Sequence, residues 1–142
     1  PEVGVLPVTL KPNTHTHPLL KGLPPTFAAT QWHGYEVKQL PPGGVALAAS
    51  QACPIQAFAV GETALGLQFH PEVTDRLIES WLSVPAYCGE LEEHLGTDGC
   101  AVMRDGVMTH LAELEATART LFENFLAVVR SHQQSPFLPL RS

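Results

Sequence analysis

The chain has 142 residues, 44% of them apolar and 15% charged, which is enough for one packed core and too little charge for a disordered tail. Eight basic and fourteen acidic side chains leave a net charge of −6, which argues against nucleic acid or an anionic membrane as a partner. No apolar run reaches the roughly 20 residues of a membrane-spanning helix. Pro1-Glu2-Val3-Gly4 shows neither the basic nor the apolar region of a secretory signal, so a cytoplasmic chain is expected.

The first strand is expected over residues 3–10, with Pro7 marking an edge position or a bend. Residues 11–25 hold Pro12, Asn13, Pro18, Gly22 and Pro24-Pro25 and read as a loop. A second strand covers 26–32, Pro41-Pro42-Gly43-Gly44 is a strong turn, and a third strand covers 45–50. Residues 56–60 and 64–69 read as a hairpin about Gly61-Glu62. Its second arm is apolar except at Gln68, as suits a strand buried on both faces. After residue 72 the period turns helical. Thr74 can cap a helix with Leu77, Ile78, Trp81 and Leu82 on one face. A shorter helix over 86–95 is followed by a break at Gly96-Thr97-Asp98-Gly99. A long helix over 109–130 carries Leu111, Leu114, Ala118, Leu121, Phe122, Phe125, Val128 and Val129 at three- and four-residue steps. Its polar side, with Glu113, Glu115 and Arg119, marks it as a packing element, and residues 135–142 read as a frayed tail.

Cys53, Cys88 and Cys100 are odd in number and form no CxxC pair. Free thiols are therefore expected, not a disulfide framework. His15-Thr16-His17 has no third ligand nearby and reads as a solvated loop.

The segment Gly66-Leu67-Gln68-Phe69-His70-Pro71-Glu72-Val73-Thr74 carries the chemistry. A strand ends, and His70 and Glu72 follow at i and i+2, which places both side chains on one side of an extended backbone. Pro71 keeps the residue before it out of the helical region. A carboxylate beside an imidazole fixes one tautomer and stabilises the imidazolium, as a general base requires. The plainer reading is a surface His and a solvated Glu beside a turn. A metal-dependent hydrolase using His70, Glu72 and His33 finds no further ligands in the sequence.

This string resembles the class I glutamine amidotransferases. Gln31-Trp32-His33-Gly34-Tyr35 is similar to the segment that lies beside bound glutamine in that family, and residues 50–58 to the strand-loop-strand that precedes the His strand. The likeness is nearest to the glutaminase domain of GMP synthase and its stand-alone relatives, and is strong over residues 1–82. It implies an α/β fold, the C-terminal part of a flavodoxin-like amidotransferase domain with a mixed sheet followed by C-terminal helices. The domain portion would span 1–132, strand-rich over 1–72 and helical over 73–132, with a tail at 133–142.

By the resemblance His70 is the general base, Glu72 orients it, and Trp32, Gly34 and Tyr35 bind substrate. Relatives near GMP synthase often carry Asp where this chain has Tyr35. The family nucleophile is a Cys on a strand-to-helix elbow. Gln-Ala-Cys53-Pro, Ala-Tyr-Cys88-Gly and Asp-Gly-Cys100-Ala lack that setting, so the nucleophile is expected upstream of Pro1 and the sequence reads as a piece of a longer domain. The intact domain would release ammonia from glutamine to a synthase subunit or domain, with no cofactor and no metal, while the 142 residues alone would not be active. A non-catalytic scaffold or regulatory module of the same fold, and a hydrolase of other γ-glutamyl compounds, stay open.

Overall fold

A computed structural model describes residues 1–14, 16–61 and 64–133. His15, Glu62, Thr63 and residues 134–142, which hold most of the expected tail, lie outside the described residues. Five strands come first: β1 (Glu2–Leu10), β2 (Thr26–His33), β3 (Gly44–Ala49), β4 (Ala57–Val60) and β5 (Ala64–Leu67). Three helices follow: α1 (Asp75–Leu82), α2 (Pro85–Leu95) and α3 (Gly99–Gln133). A single 3-10 turn, Pro18–Leu20, interrupts the first long loop, and the ring of His17 caps it by accepting from the Leu19 amide at 3.3 Å.

The strands form one sheet in the order β2-β1-β3-β4-β5. A mixed sheet is expected from the resemblance; over the described strands every pairing is antiparallel. The cause is connectivity, because no helix lies between any two of these strands beyond the short 3-10 turn, and a parallel pair needs a long crossover. β1 pairs with β2 along its length but with β3 only at Thr9 and Leu10. Pro7 therefore sits where one side of β1 has no strand partner and its missing N–H costs no ladder bond. At the far end, an isolated bridge joins His70 to Thr30 of β2, so the chain beyond β5 returns to the opposite edge and the sheet curls.

β5 differs from expectation. It is an edge strand and is half-exposed along its length, not buried on both faces. An apolar run serves equally for a strand covered on one face only. Here α3 supplies that cover through Leu121, in a cluster with Val8, Phe27, Leu47 and Phe69 that Leu65 and Leu67 join. Phe27 and Phe69 meet edge to face at 5.7 Å. A second cluster belongs to the helices: Val73, Ile78, Leu82, Leu91, Met103, Val107 and Leu114 are buried together, with Trp32 and Trp81 packed against them.

Thr74 caps α1 as expected, its hydroxyl accepting from the Leu77 amide at 3.1 Å, a bond worth about 1 kcal/mol. The long helix begins ten residues earlier than its apolar period suggests, because Met103 and Val107 extend the buried stripe across Gly99 and Gly106. Phe122 and Phe125, expected inward, are 62% and 48% exposed. α3 also protects the outer edge of the sheet: Glu113 accepts from the Ala28 amide of β2 at 2.7 Å.

The expectation of three free thiols is corrected. Cys88 and Cys100 are joined in a disulfide, and Cys53 alone is free and buried. Gly96 ends α2 with φ of +90°, and a Cβ on Gly99 would sit 2.4 Å from the Leu91 carbonyl oxygen. These two glycines allow a tight α2–α3 corner that brings the cysteine Cα atoms to 5.5 Å, within disulfide reach. None of the described helices is long and apolar enough to cross a membrane.

Candidate active site

His70 lies just past β5, held by its own amide donating to the Thr30 carbonyl at 2.8 Å. Its Nδ1 is 2.8 Å from Oε1 of Glu72. A carboxylate only accepts, so Nδ1 carries the hydrogen, and in the neutral ring Nε2 is the nitrogen left to accept a proton. The His70 ring meets Trp81 of α1 edge to face at 5.4 Å. Trp81 meets Trp32 at 5.6 Å, and Trp32 meets Tyr87 of α2 at 5.7 Å. Trp32, His70, Trp81, Tyr87 and Glu90 line an open cavity of about 260 Å³.

The residues expected to bind substrate divide between two places. Trp32 lies beside His70. Gly34 and Tyr35 line a shallow hollow with Glu2, His33, Glu36 and Cys53. Tyr35 is 93% exposed and takes no part in the core. A Cβ on Gly34 would meet nothing within 4 Å, so packing within the described residues does not require glycine there.

The segment that follows Trp32 is braced from below. His33 Nδ1 donates to the Tyr35 carbonyl at 2.8 Å. Its Nε2 lies 3.5 Å from the Gln56 amide nitrogen and 3.7 Å from the buried carboxylate of Glu2. Glu2 also accepts from Ser50 Oγ at 2.7 Å and from Gln56 Nε2. Gln68, two residues before His70, accepts from the Val37 amide at 3.0 Å and donates to the Ile55 carbonyl and to Cys53 Sγ. Gln68 thus ties the segment after Tyr35 to the loop before β4 and to the strand that leads to the dyad. Cys53 is committed to this packing. No group of three or more His, Cys, Asp or Glu side chains among the described residues is arranged to hold a metal ion.

Sequence reasoning missed Glu2, Ser50 and Gln56 as a unit, and Trp81, Tyr87 and Glu90 as neighbours of His70. The sequence signal for the first was a Glu at the start of an otherwise apolar strand, an expensive place for a carboxylate without partners. For Trp81 it was an indole one helical face away from the dyad.

An antiparallel sheet ending in a His–Glu pair and followed by helices defines a class, and comparison with known proteins names it. The sequence model of the family described as "Glutamine amidotransferase class-I" matches residues 3–81. The chain belongs to that family. Among curated proteins it is similar to a glutamine-hydrolyzing GMP synthase subunit from Thermococcus kodakarensis, at 38% identity over 76 residues, 51% of this chain and 40% of that protein. The corresponding protein of Pyrococcus abyssi is 41% identical over the same shares. A solved glutamine amidotransferase from Thermotoga maritima superposes with a TM-score of 0.73 at 27% identity, over 88% of this chain and 50% of that one. One from Methylobacillus flagellatus shares the fold, with a TM-score of 0.73 at 19% identity over 89% and 52%. The match spans about two fifths of the length of these two GMP synthase relatives.

Proposed function

We propose that the chain carries the acid–base half of a glutamine amidotransferase site and is the C-terminal portion, residues 1–132, of one such domain. The observation that supports this reading is the His70–Glu72 pair at 2.8 Å, with the second ring nitrogen of His70 left for chemistry beside an open cavity. In this reading Nε2 of His70 takes the proton of a Cys thiol, the thiolate attacks the carboxamide of glutamine, and His70 returns that proton to the departing ammonia, leaving a γ-glutamyl thioester. His70 then takes a proton from the water that releases glutamate, while Glu72 holds the imidazole in place. Trp32, Gly34 and Tyr35 contact the substrate, with the His33 brace fixing the backbone between them.

The nucleophile comes from outside these 142 residues. Cys53 is buried, and Cys88 and Cys100 are bonded to each other. Ammonia passes to a synthase subunit or domain. Glutamine hydrolysis by the native protein and by His70→Ala tests the assignment. The expected result is glutamate release by the native protein and its loss in the variant. Native-like turnover in His70→Ala would remove His70 from the chemistry. No turnover in either would leave a scaffold of the same fold.

A further inference from the structure

The cavity beside His70 has a composition that glutamine hydrolysis alone does not explain. Three of its five lining residues are aromatic: Trp32, Trp81 and Tyr87. Trp32 stands at 78° to Trp81 and at 70° to Tyr87, so the rings form the walls of a corner and not a stack. The two polar residues are His70, which already faces a carboxylate, and Glu90. Neither lysine nor arginine lines the cavity. Aromatic faces carry negative potential, and perpendicular indole and phenol walls beside a carboxylate form the arrangement that holds an organic cation. A volume of about 260 Å³ suits a small head group and not a large ligand.

We propose that the corner formed by Trp32, Trp81, Tyr87 and Glu90 binds an organic ammonium group. The cation has two sources: the charged amine arm of a γ-glutamyl amide acted on at His70, or a free ammonium effector. The first rests on the amidotransferase reading above; binding itself does not.

Trp32 and Trp81, the two tryptophans of these 142 residues, both line the corner, and the change in fluorescence that Trp32→Phe and Trp81→Phe remove reports on it. The native protein is titrated with choline and with its neutral isostere 3,3-dimethyl-1-butanol. The expected result is a saturable change with choline at an affinity at least about tenfold above that for the neutral compound. Glu90→Gln and Tyr87→Ala, both at exposed positions, are expected to weaken choline several-fold while the circular dichroism stays native. Equal affinity for the two compounds, or no saturable change, overturns the proposal whether or not the protein hydrolyses glutamine. With binding established, a raised KM for glutamine in choline assigns the cation to the substrate side, and unchanged KM and kcat with choline bound assign it to an effector.

Discussion

Among the described residues, two histidine–carboxylate pairs stand in different surroundings. His33 and Glu2 are 15% and 8% exposed, and every atom that could do chemistry is occupied: Nδ1 by the Tyr35 carbonyl, Nε2 by Gln56, the carboxylate by Ser50 and Gln56. His70 and Glu72 are 32% and 53% exposed, with one ring nitrogen bonded and the other open to a cavity. The same two residue types make a brace when buried and fully bonded, and an acid–base pair when half-exposed and half-bonded. A buried carboxylate is held by its partners because leaving them unmatched is costly. An exposed dyad adds little to stability and is free to exchange protons.

Substitutions can break this contrast or sharpen it. His70→Ala is expected to lower glutamine turnover on the order of 10³-fold or more, with a stability change under about 1 kcal/mol in urea unfolding. A large loss of stability would make His70 a brace as well. Glu2→Ala is expected to do the opposite. It removes the carboxylate to which Ser50 Oγ and Gln56 Nε2 donate, leaves the Ser50 hydroxyl proton without that acceptor while Gln56 keeps Ser50 and His33, and costs about 1–3 kcal/mol of stability by the same measurement. Glu72→Gln keeps the shape of the dyad and removes its charge. Turnover is expected to fall roughly 10- to 100-fold, through kcat and not KM, since Glu72 acts through His70.

The Arg104–Glu79 pair supplies the baseline for an exposed ion pair without chemistry. Arg104 forks onto both carboxylate oxygens at 2.6 and 3.2 Å and holds Glu79 below its usual value of 4.5. A lowered carboxylate contributes stability above its unfolded value and loses it as pH falls through the folded one. The Tm gap between wild type and Arg104→Ala is therefore expected to be the smallest of these effects at neutral pH and to close in acid. A gap that persists in acid would mean that Arg104 acts through packing.

The two pairs were unequally legible. His70 and Glu72 are two residues apart across a proline, so local backbone geometry is enough to bring them together. Glu2 meets its partners 48 and 54 residues away, and only the order of strands in the sheet explains that meeting. The strands were readable because Pro and Gly punctuate them, and α1 because Thr74 caps it. The start of α3 was hidden by Gly99 and Gly106, which weaken a helical pattern that packing against α2 and β1 restores. The disulfide was hidden by an odd cysteine count and by a corner whose closeness depends on two glycines. The aromatic corner joins residues from β2, α1 and α2, and no single stretch announces it.

At 35 residues α3 is about 52 Å long. Its first half buries Met103, Val107 and Leu114 among the helices, and its second buries Leu121 in the sheet cluster. A single rod shared by both cores couples their unfolding. Amide hydrogens midway along it are expected to exchange with solvent more slowly than those at its ends, because both cores hold them.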